Sequence, residues 1–200
     1  MHGNPPLVLA STSRYRRELL ARLHLPFDVC APQVDETRLD GETPEAMAQR
    51  LARAKARAGA ALHPGAVVIG SDQVADLGGD AVGKPGTHER ARVQLRRLSG
   101  QRVIFHTAVT VLRAERDFER TLLASVTVQF RDLDDQEIER YLLLEQPYDC
   151  AGSAKCETLG IALLRSIDSD DPTALVGLPL IRTCELLRLA GIDPLRSAGT

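Results

Sequence analysis

Several short stretches of this 200-residue chain carry side chains suited to anion and phosphoryl chemistry. Ser11-Thr12-Ser13 follows the apolar run Leu7-Val8-Leu9-Ala10, which reads as a short buried strand, and precedes a helical pattern over Arg14–Leu25. A hydroxyl-rich loop entering a helix N-terminus offers unpaired backbone N–H groups and the positive end of the helix dipole. On that helix Arg16, Leu19, Leu20 and Leu23 fall at i, i+3, i+4 and i+7, so Arg16 begins the apolar stripe. It either bends back to the anion or snorkels to solvent, and the spacing alone does not choose.

Lys55 repeats the pattern more weakly. It is expected on the edge of an inward face formed by Met47, Leu51, Ala58 and Leu62, where lysines are usually solvated. Ser71-Asp72-Gln73 directly follows the buried strand expected at Ala66–Gly70. Ligands of α/β proteins gather beyond the carboxyl ends of strands, so Asp72 is placed for metal or proton chemistry, or else caps a turn. Lys84 sits between two conformational restrictors, Gly83 and Pro85, and Val34-Asp35-Glu36 adds two carboxylates in a loop. Carboxylates, cations and a helix N-terminus together form the inventory of Mg²⁺-assisted phosphoryl chemistry. Walker-type, G-x-G-x-x-G, H-E-x-x-H and G-x-S-x-G patterns are absent from the sequence, and its five histidines show no ligand spacing.

The elements that must position these groups alternate in type. Helices are expected from Thr43-Pro44-Glu45 to about Leu62 and from Thr87 to Leu98, the second closed by Ser99-Gly100. Arg102–Arg113 and Leu122–Phe130 read as an antiparallel pair. Asp134-x-x-Glu137 forms a capping-box start, with Leu133 placed to staple onto Ile138, and that helix ends before Pro147. A strand over Gly160–Ile167 and a helix over Pro179–Leu189, stopped by Gly191, complete an α/β class with a mixed, partly antiparallel sheet and flanking helices. The tail after Pro194 is expected to fray.

At 44% hydrophobic and 26% charged, the chain can bury a core and is not of disordered composition. A net charge of −2 and only 4% aromatic residues argue against coating nucleic acid or an anionic membrane. No run of about 18 apolar residues is available for a transmembrane helix, and the first residues lack the pattern of a signal peptide. The expectation is a soluble, cytoplasmic protein. Cys30, Cys150, Cys156 and Cys184 form no C-x-x-C pair and read as reduced structural thiols. The acidic run Asp168–Asp171 reads as a solvated turn rather than a second metal site.

These motifs resemble, in order, those of the Maf-type nucleoside triphosphate pyrophosphatases. Ala10-Ser-Thr-Ser-Arg-Tyr-Arg-Arg-Glu-Leu-Leu20 resembles that family's S-x-S-x-R-R-x-L-L opening. Val34-Asp-Glu36, Lys55-Ala56, Gly70-Ser-Asp-Gln73, Gly83-Lys-Pro85, Leu95-x-x-Leu98-Ser-Gly100, Gly152 to Gly160 and Asp171-Pro-Thr-Ala-Leu-Val-Gly-Leu-Pro179 follow in the family's order. The resemblance covers roughly residues 7–194 and implies one Maf-like domain, with two lobes around a cleft as in inosine triphosphate pyrophosphatases, often dimeric. It implies metal-dependent hydrolysis (Mg²⁺ or Mn²⁺) between the α- and β-phosphates. By position, Asp72 resembles the catalytic carboxylate that also helps hold the metal, and Glu36 its metal-binding companion. Ser11, Arg16, Arg17, Lys55 and Lys84 resemble the triphosphate cradle.

Within the family, Tyr15, Gln73 and Glu157 match the branch acting on 7-methyl-GTP rather than that acting on dTTP and UTP. Methylation at N7 makes guanine cationic, so Glu157 could accept guanine-edge N–H bonds while balancing the charge, and Tyr15 could stack on the cation. A neutral pyrimidine would leave Glu157 desolvated without compensation. Two positions depart from the branch: Tyr15 stands where tryptophan is usual, and Lys155-Cys156-Glu157-Thr158 replaces Lys-Ser-Glu-Gly. The alternatives are a pyrophosphatase for other nucleotides, or a nucleotide-binding regulator of cell division, a role also linked to the family. A pure binder would need the cations but not Asp72.

Overall fold

A computed structural model of the chain describes residues 5–196. In chain order its regular elements are β1 (Leu7–Ala10), α1 (Arg14–Ala21), β2 (Asp28–Cys30), α2 (Pro44–Leu62), β3 (Val67–Leu77), β4 (Asp80–Val82), α3 (His88–Leu98), β5 (Arg102–Arg113), β6 (Phe118–Phe130), α4 (Asp135–Glu145), β7 (Leu164–Asp168) and α5 (Leu180–Ala190). The strands form one seven-stranded sheet in the order β2-β1-β3-β5-β6-β7, with β4 also paired to β3. β2, β1 and β3 run parallel, whereas β4, β5, β6 and β7 join antiparallel. This is the mixed α/β architecture the sequence implied. Among the described residues no helix is long and apolar enough to cross a membrane.

β3 organises the molecule. One edge pairs with β5 from Val68 to Asp76. The other pairs with β1 only as far as Gly70 and with β4 only from Ala75. Ser71–Val74 therefore have no neighbouring strand on that side, and the cleft opens there. The strand is longer than the expected Ala66–Gly70, because antiparallel pairing to β5 carries it past the end of its parallel partner. Asp72 thus lies within a strand rather than in a loop after one.

Side-chain alternation along β3 sorts the layers. Val67 and Ile69 pack with Leu19 and Leu20 of α1 and Leu186 and Leu187 of α5. Further along the same face, Ala75 joins Leu95 and Leu98 of α3, Phe105 and Phe130 of the sheet, and Ile138 and Leu142 of α4. Val68 and Val74 point to the opposite face, the latter against Ala48 and Ala52 of α2. Two apolar cores thus flank the cleft, and α2 covers the back of the sheet.

The local signals act as expected at several ends. Thr43 caps α2 with Pro44 in its first turn, Thr87 caps α3, and Asp134 with Glu137 forms the capping box of α4. Other boundaries move. The first helix stops at Ala21 rather than Leu25, since His24 adopts a left-handed φ of 53° and Pro26 follows close behind. β6 starts at Phe118, four residues before the expected Leu122. The strand expected over Gly160–Ile167 begins instead as a 3₁₀ turn, Leu159–Leu163, and only Leu164–Asp168 pairs. A Cβ at Gly160 would lie 2.4 Å from the Lys155 carbonyl oxygen, so the chain folds back on itself there. Pro179 caps the last helix instead of beginning it, and the short strands β2 and β4 carried no legible signal. The tail expected to fray runs on into residues 197–200, outside the described residues.

The inward face of α2 differs most from expectation. Ala48, Leu51, Ala52, Lys55, Ala56 and Gly59 are buried, whereas Leu62 is 61% exposed and Ala58 is half-buried. Small residues, not the most hydrophobic ones, set this face, because the helix comes unusually close to the sheet. A Cβ at Gly70 would lie 2.3 Å from the Ala52 carbonyl oxygen and 2.4 Å from the Ala56 nitrogen. Both are backbone atoms and no rotamer change relieves them. Gly70→Ala should therefore destabilise the fold by about 2–3 kcal/mol, read as a lower urea midpoint at unchanged slope. A shift below about 0.5 kcal/mol would mean that the helix is free to move off the strand.

Candidate active site

The close seating of α2 delivers Lys55 to the open edge of β3. Its ammonium is 2.6 Å from Oδ1 of Asp72 and 2.7 Å from Oε1 of Glu36. Lys55 and Asp72 are buried, at 7% exposure each, and Glu36 closes over them from the loop before α2. A buried ammonium is costly without charged partners, so the two carboxylates and the lysine stabilise one another. Burial pushes the Glu36 carboxyl up, but the hydrogen bond and charge of Lys55, with the fields of Lys84 and Arg16, outweigh it and hold Glu36 below the usual glutamate value.

The loop carrying Glu36 is not free to drift. Arg50 of α2 forks onto Glu42 at 2.6 and 2.9 Å and donates to the Thr37 carbonyl at 3.0 Å. Asp35 accepts from the Thr37 amide at 2.9 Å, turning the chain just beside Glu36. This carboxylate therefore reaches the cleft through a pinned loop.

Arg16 enters from the first turn of α1. Ser13 caps that helix by accepting from the Arg16 amide. The Arg16 side chain folds inward, donating from Nε to the Gly177 carbonyl at 2.8 Å and from Nη1 to Ser11 Oγ at 3.4 Å. Burial lowers its pKa, against the fields of Asp72 and Glu36. Between snorkelling and bending back, Arg16 bends back.

Gly177 belongs to a strap, Asp171–Pro179, that walls the cleft opposite α2. Ser71 donates to the Ala108 and Gly177 carbonyls, while Gln73 Nε2 donates to Ala174 and Leu175 at 2.9 and 3.0 Å and to Thr107 Oγ1. Gly177 itself has φ 119°, a conformation open to glycine. The root of the strap is Asp171. This residue is fully buried, accepts from Thr173 and from the Arg182 amide, and lies 3.6 Å from the Arg182 guanidinium. Asp168, at the end of β7, and Asp170 are exposed, as a solvated turn requires, but Asp171 is buried. It anchors the strap because Arg182 reaches back into it.

Lys84 arrives by another route. The Gly78-Gly79 turn, with both φ positive, folds β4 back onto β3, and the chain then passes Gly83-Lys84-Pro85 along the cleft rim. A cavity of about 450 Å³ results, sharing walls with a second hollow of about 340 Å³. Tyr15, Arg16, Glu36, Lys55 and Lys84 wall both, Ser11 the smaller, and Asp72, Gln73 and Glu157 the larger. Its size suits a small-molecule ligand. Arg16, Lys55 and Lys84 bring cations to its wall, and Tyr15, Cys150 and the exposed Glu157 line the same cavity. Burial pushes the Tyr15 phenol up to about 12, so the ring stays neutral.

The family model described as Maf-like protein matches residues 6–190. The chain belongs to the Maf-like family. It is 68% identical over 187 residues to the 7-methyl-GTP pyrophosphatase of Polaromonas sp. (strain JS666), spanning 94% of this chain and 85% of that one. It is 63% identical to the protein of that name from Albidiferax ferrireducens, over 94% and 95% of the two chains. The Thiobacillus denitrificans protein of the same name is 57% identical over 96% of each.

In this Maf-like chain the candidate residues do not all meet. Arg17 is exposed on α1 and walls neither hollow. Gln73 reaches the larger cavity, yet its amide nitrogen is taken up in holding the strap. Among the described residues no group of three or more His, Cys, Asp or Glu side chains gathers as a metal cluster. Sequence reasoning missed Asp149 as a wall of both hollows and Gly177 as the acceptor that aims Arg16. Gly177 lay inside a quoted motif, but Asp149 had no signal beyond its place before Cys150. The Cys150 and Cys156 thiols are free, and burial pushes each up to about 12, which fits inert structural thiols.

The depressed Glu36 value has a defined consequence for pH. Its tie to Lys55 contributes stability above the unfolded glutamate value, about 4.3, and loses it as pH falls through the lower folded value. Carboxyl ¹³C NMR should show Glu36 titrating below the ordinary range in the wild type. In Lys55→Met the midpoint should rise, since burial then meets less opposition. An unchanged midpoint would dissolve the proposed link.

Proposed function

We propose that this chain is a metal-dependent nucleoside triphosphate pyrophosphatase that splits the α–β phosphate bond of 7-methyl-GTP into 7-methyl-GMP and diphosphate. The observation that carries this reading is the convergence of Glu36, Asp72 and Lys55 within 2.7 Å contacts, in a cleft also walled by Arg16, Tyr15 and Glu157. The names of the similar proteins support the choice of nucleotide.

The donor set fits a hard divalent cation. Two carboxylates from separate segments already share one cation, the Lys55 ammonium, and Mg²⁺ is commonly held by one or two carboxylates together with substrate phosphates. Glu36 and Asp72 would hold it, and the bound ion would polarise phosphoryl oxygens and acidify water. With the carboxylates so engaged, Lys55 turns to the phosphates, joining Arg16 and Lys84 in neutralising the triphosphate. The Gly177 carbonyl and Ser11 keep the Arg16 guanidinium aimed at the chain of phosphates. Asp72 accepts the proton of the attacking water at a carboxylate oxygen. Tyr15 stacks on the methylated base and Glu157 accepts its edge N–H groups. The four free cysteines accord with work in a reducing compartment such as the cytoplasm.

A nucleotide panel with Mg²⁺ or Mn²⁺, read as diphosphate release, tests the assignment. 7-Methyl-GTP should be the best substrate and the product 7-methyl-GMP. Faster turnover of UTP or dTTP would overturn the base assignment, and binding without hydrolysis under either metal would favour a nucleotide-binding regulator. Asp72→Asn should lower kcat by roughly 10²–10⁴-fold, the range for loss of a general base. Near-normal turnover by that variant would remove Asp72 from the chemistry.

A further inference from the structure

Two carboxylates wall both hollows of the cleft, and they differ in their surroundings. Glu36 is bound to Lys55 at 2.7 Å. Asp149, in the turn after α4, forms no ion pair among the described residues, and the side chain touching it is the Cys150 thiol, 3.5 Å from Oδ1. It walls both hollows, as Tyr15 does, and the same Cys150 thiol lies 3.8 Å from the Tyr15 hydroxyl. The field of Asp149 reaches both the Tyr15 phenol and the Arg14 guanidinium stacked 4.7 Å over that ring. Asp149 and Glu157 are two carboxylates of the cavity wall in which Tyr15 is the one aromatic ring among the described residues.

We infer that Asp149 is a specificity-determining residue that selects nucleotides whose base carries a fixed positive charge, an N7-alkylated purine, over the same nucleotide with a neutral base. The inference rests on the pyrophosphatase reading above and adds to it a residue outside the base-contacting set already assigned. A base seated on Tyr15 lies between Asp149 and Glu157. A cationic ring gains an attraction from both carboxylates that outweighs their repulsion of the more distant triphosphate, whereas a neutral ring gains none and leaves that shared repulsion unopposed. Asp149 therefore acts in opposite directions on the two substrates. Because it is exposed, solvent and salt screen the effect, which limits it to a modest factor.

The test compares 7-methyl-GTP with GTP on the full-length enzyme and on Asp149→Asn. The variant should lower the ratio of kcat/KM for 7-methyl-GTP over GTP by about fivefold. The change should reside in KM, which rises for 7-methyl-GTP and falls for GTP. Raising the salt concentration should erode the wild-type ratio more than that of the variant, and Asp149→Glu should retain most of the preference. A structural role would instead move both KM values the same way and leave the ratio and its salt dependence alone, which would overturn the inference. A wild type that does not prefer 7-methyl-GTP to GTP would overturn both this inference and the base assignment. A wild-type preference that survives intact in Asp149→Asn would overturn the role of Asp149 only.

Discussion

The approach of α2 to β3 at Gly70 is the constraint on which the site depends. A helix resting on large side chains would stand well off the sheet, and Lys55 would reach solvent as stripe-edge lysines do. Here Ala48, Ala52, Ala56 and Gly59 let the helix backbone meet the strand where Gly70 has no side chain. Lys55 is then forced into the cleft, two residues along the strand from Gly70, with Asp72 in reach. The ammonium cannot be buried alone, so it draws Glu36 in from its loop. One steric fact in the back layer thus decides the electrostatics of the front.

Much of this was legible in residue types, and the rest depended on geometry that residue types do not encode. Caps at Thr43, Thr87 and Asp134 showed where helices begin, because N-cap chemistry is local. Arg16 on an apolar stripe was a readable anomaly, but the Gly177 carbonyl that turns it inward lies 161 residues away. The inward face of α2 was read correctly at Met47 and Leu51 but misplaced at Ala58 and Leu62, because the close approach to the strand is set by Ala48, Ala52, Ala56 and Gly59. Asp171 read as a solvated acid because its partner, Arg182, lies on a later helix that folds back over it. Long-range contacts account for these failures, and local chemistry accounts for the successes.

The cleft wall carries charges of both signs. Arg16, Lys55 and Lys84 share it with Glu36 and Asp72, and Asp149 and Glu157 belong to the same wall as Tyr15. A wall of mixed sign disfavours a ligand that is anionic throughout and favours one with a polyanionic tail and a cationic head. Asp149 and Glu157 are each exposed and individually weak, so discrimination has to come from their combined field rather than from any single strong bond.

The change of direction within the sheet explains why this cleft exists where it does. In an all-parallel sheet β3 would end with its neighbours, and Asp72 would sit on a loop with the mobility loops have. Pairing with β5 instead holds β3 straight through Asp72, while β1 has already ended and β4 has not yet begun. The strand is therefore rigid on one edge and open on the other for the length of Ser71–Val74. A carboxylate that must hold a proton acceptor at a fixed distance from a phosphate gains the precision of a sheet and the access of a loop. The strap completes the arrangement, since Ser71 and Gln73, pointing to the face opposite Asp72, fasten it by its carbonyls and so aim Arg16 across the gap.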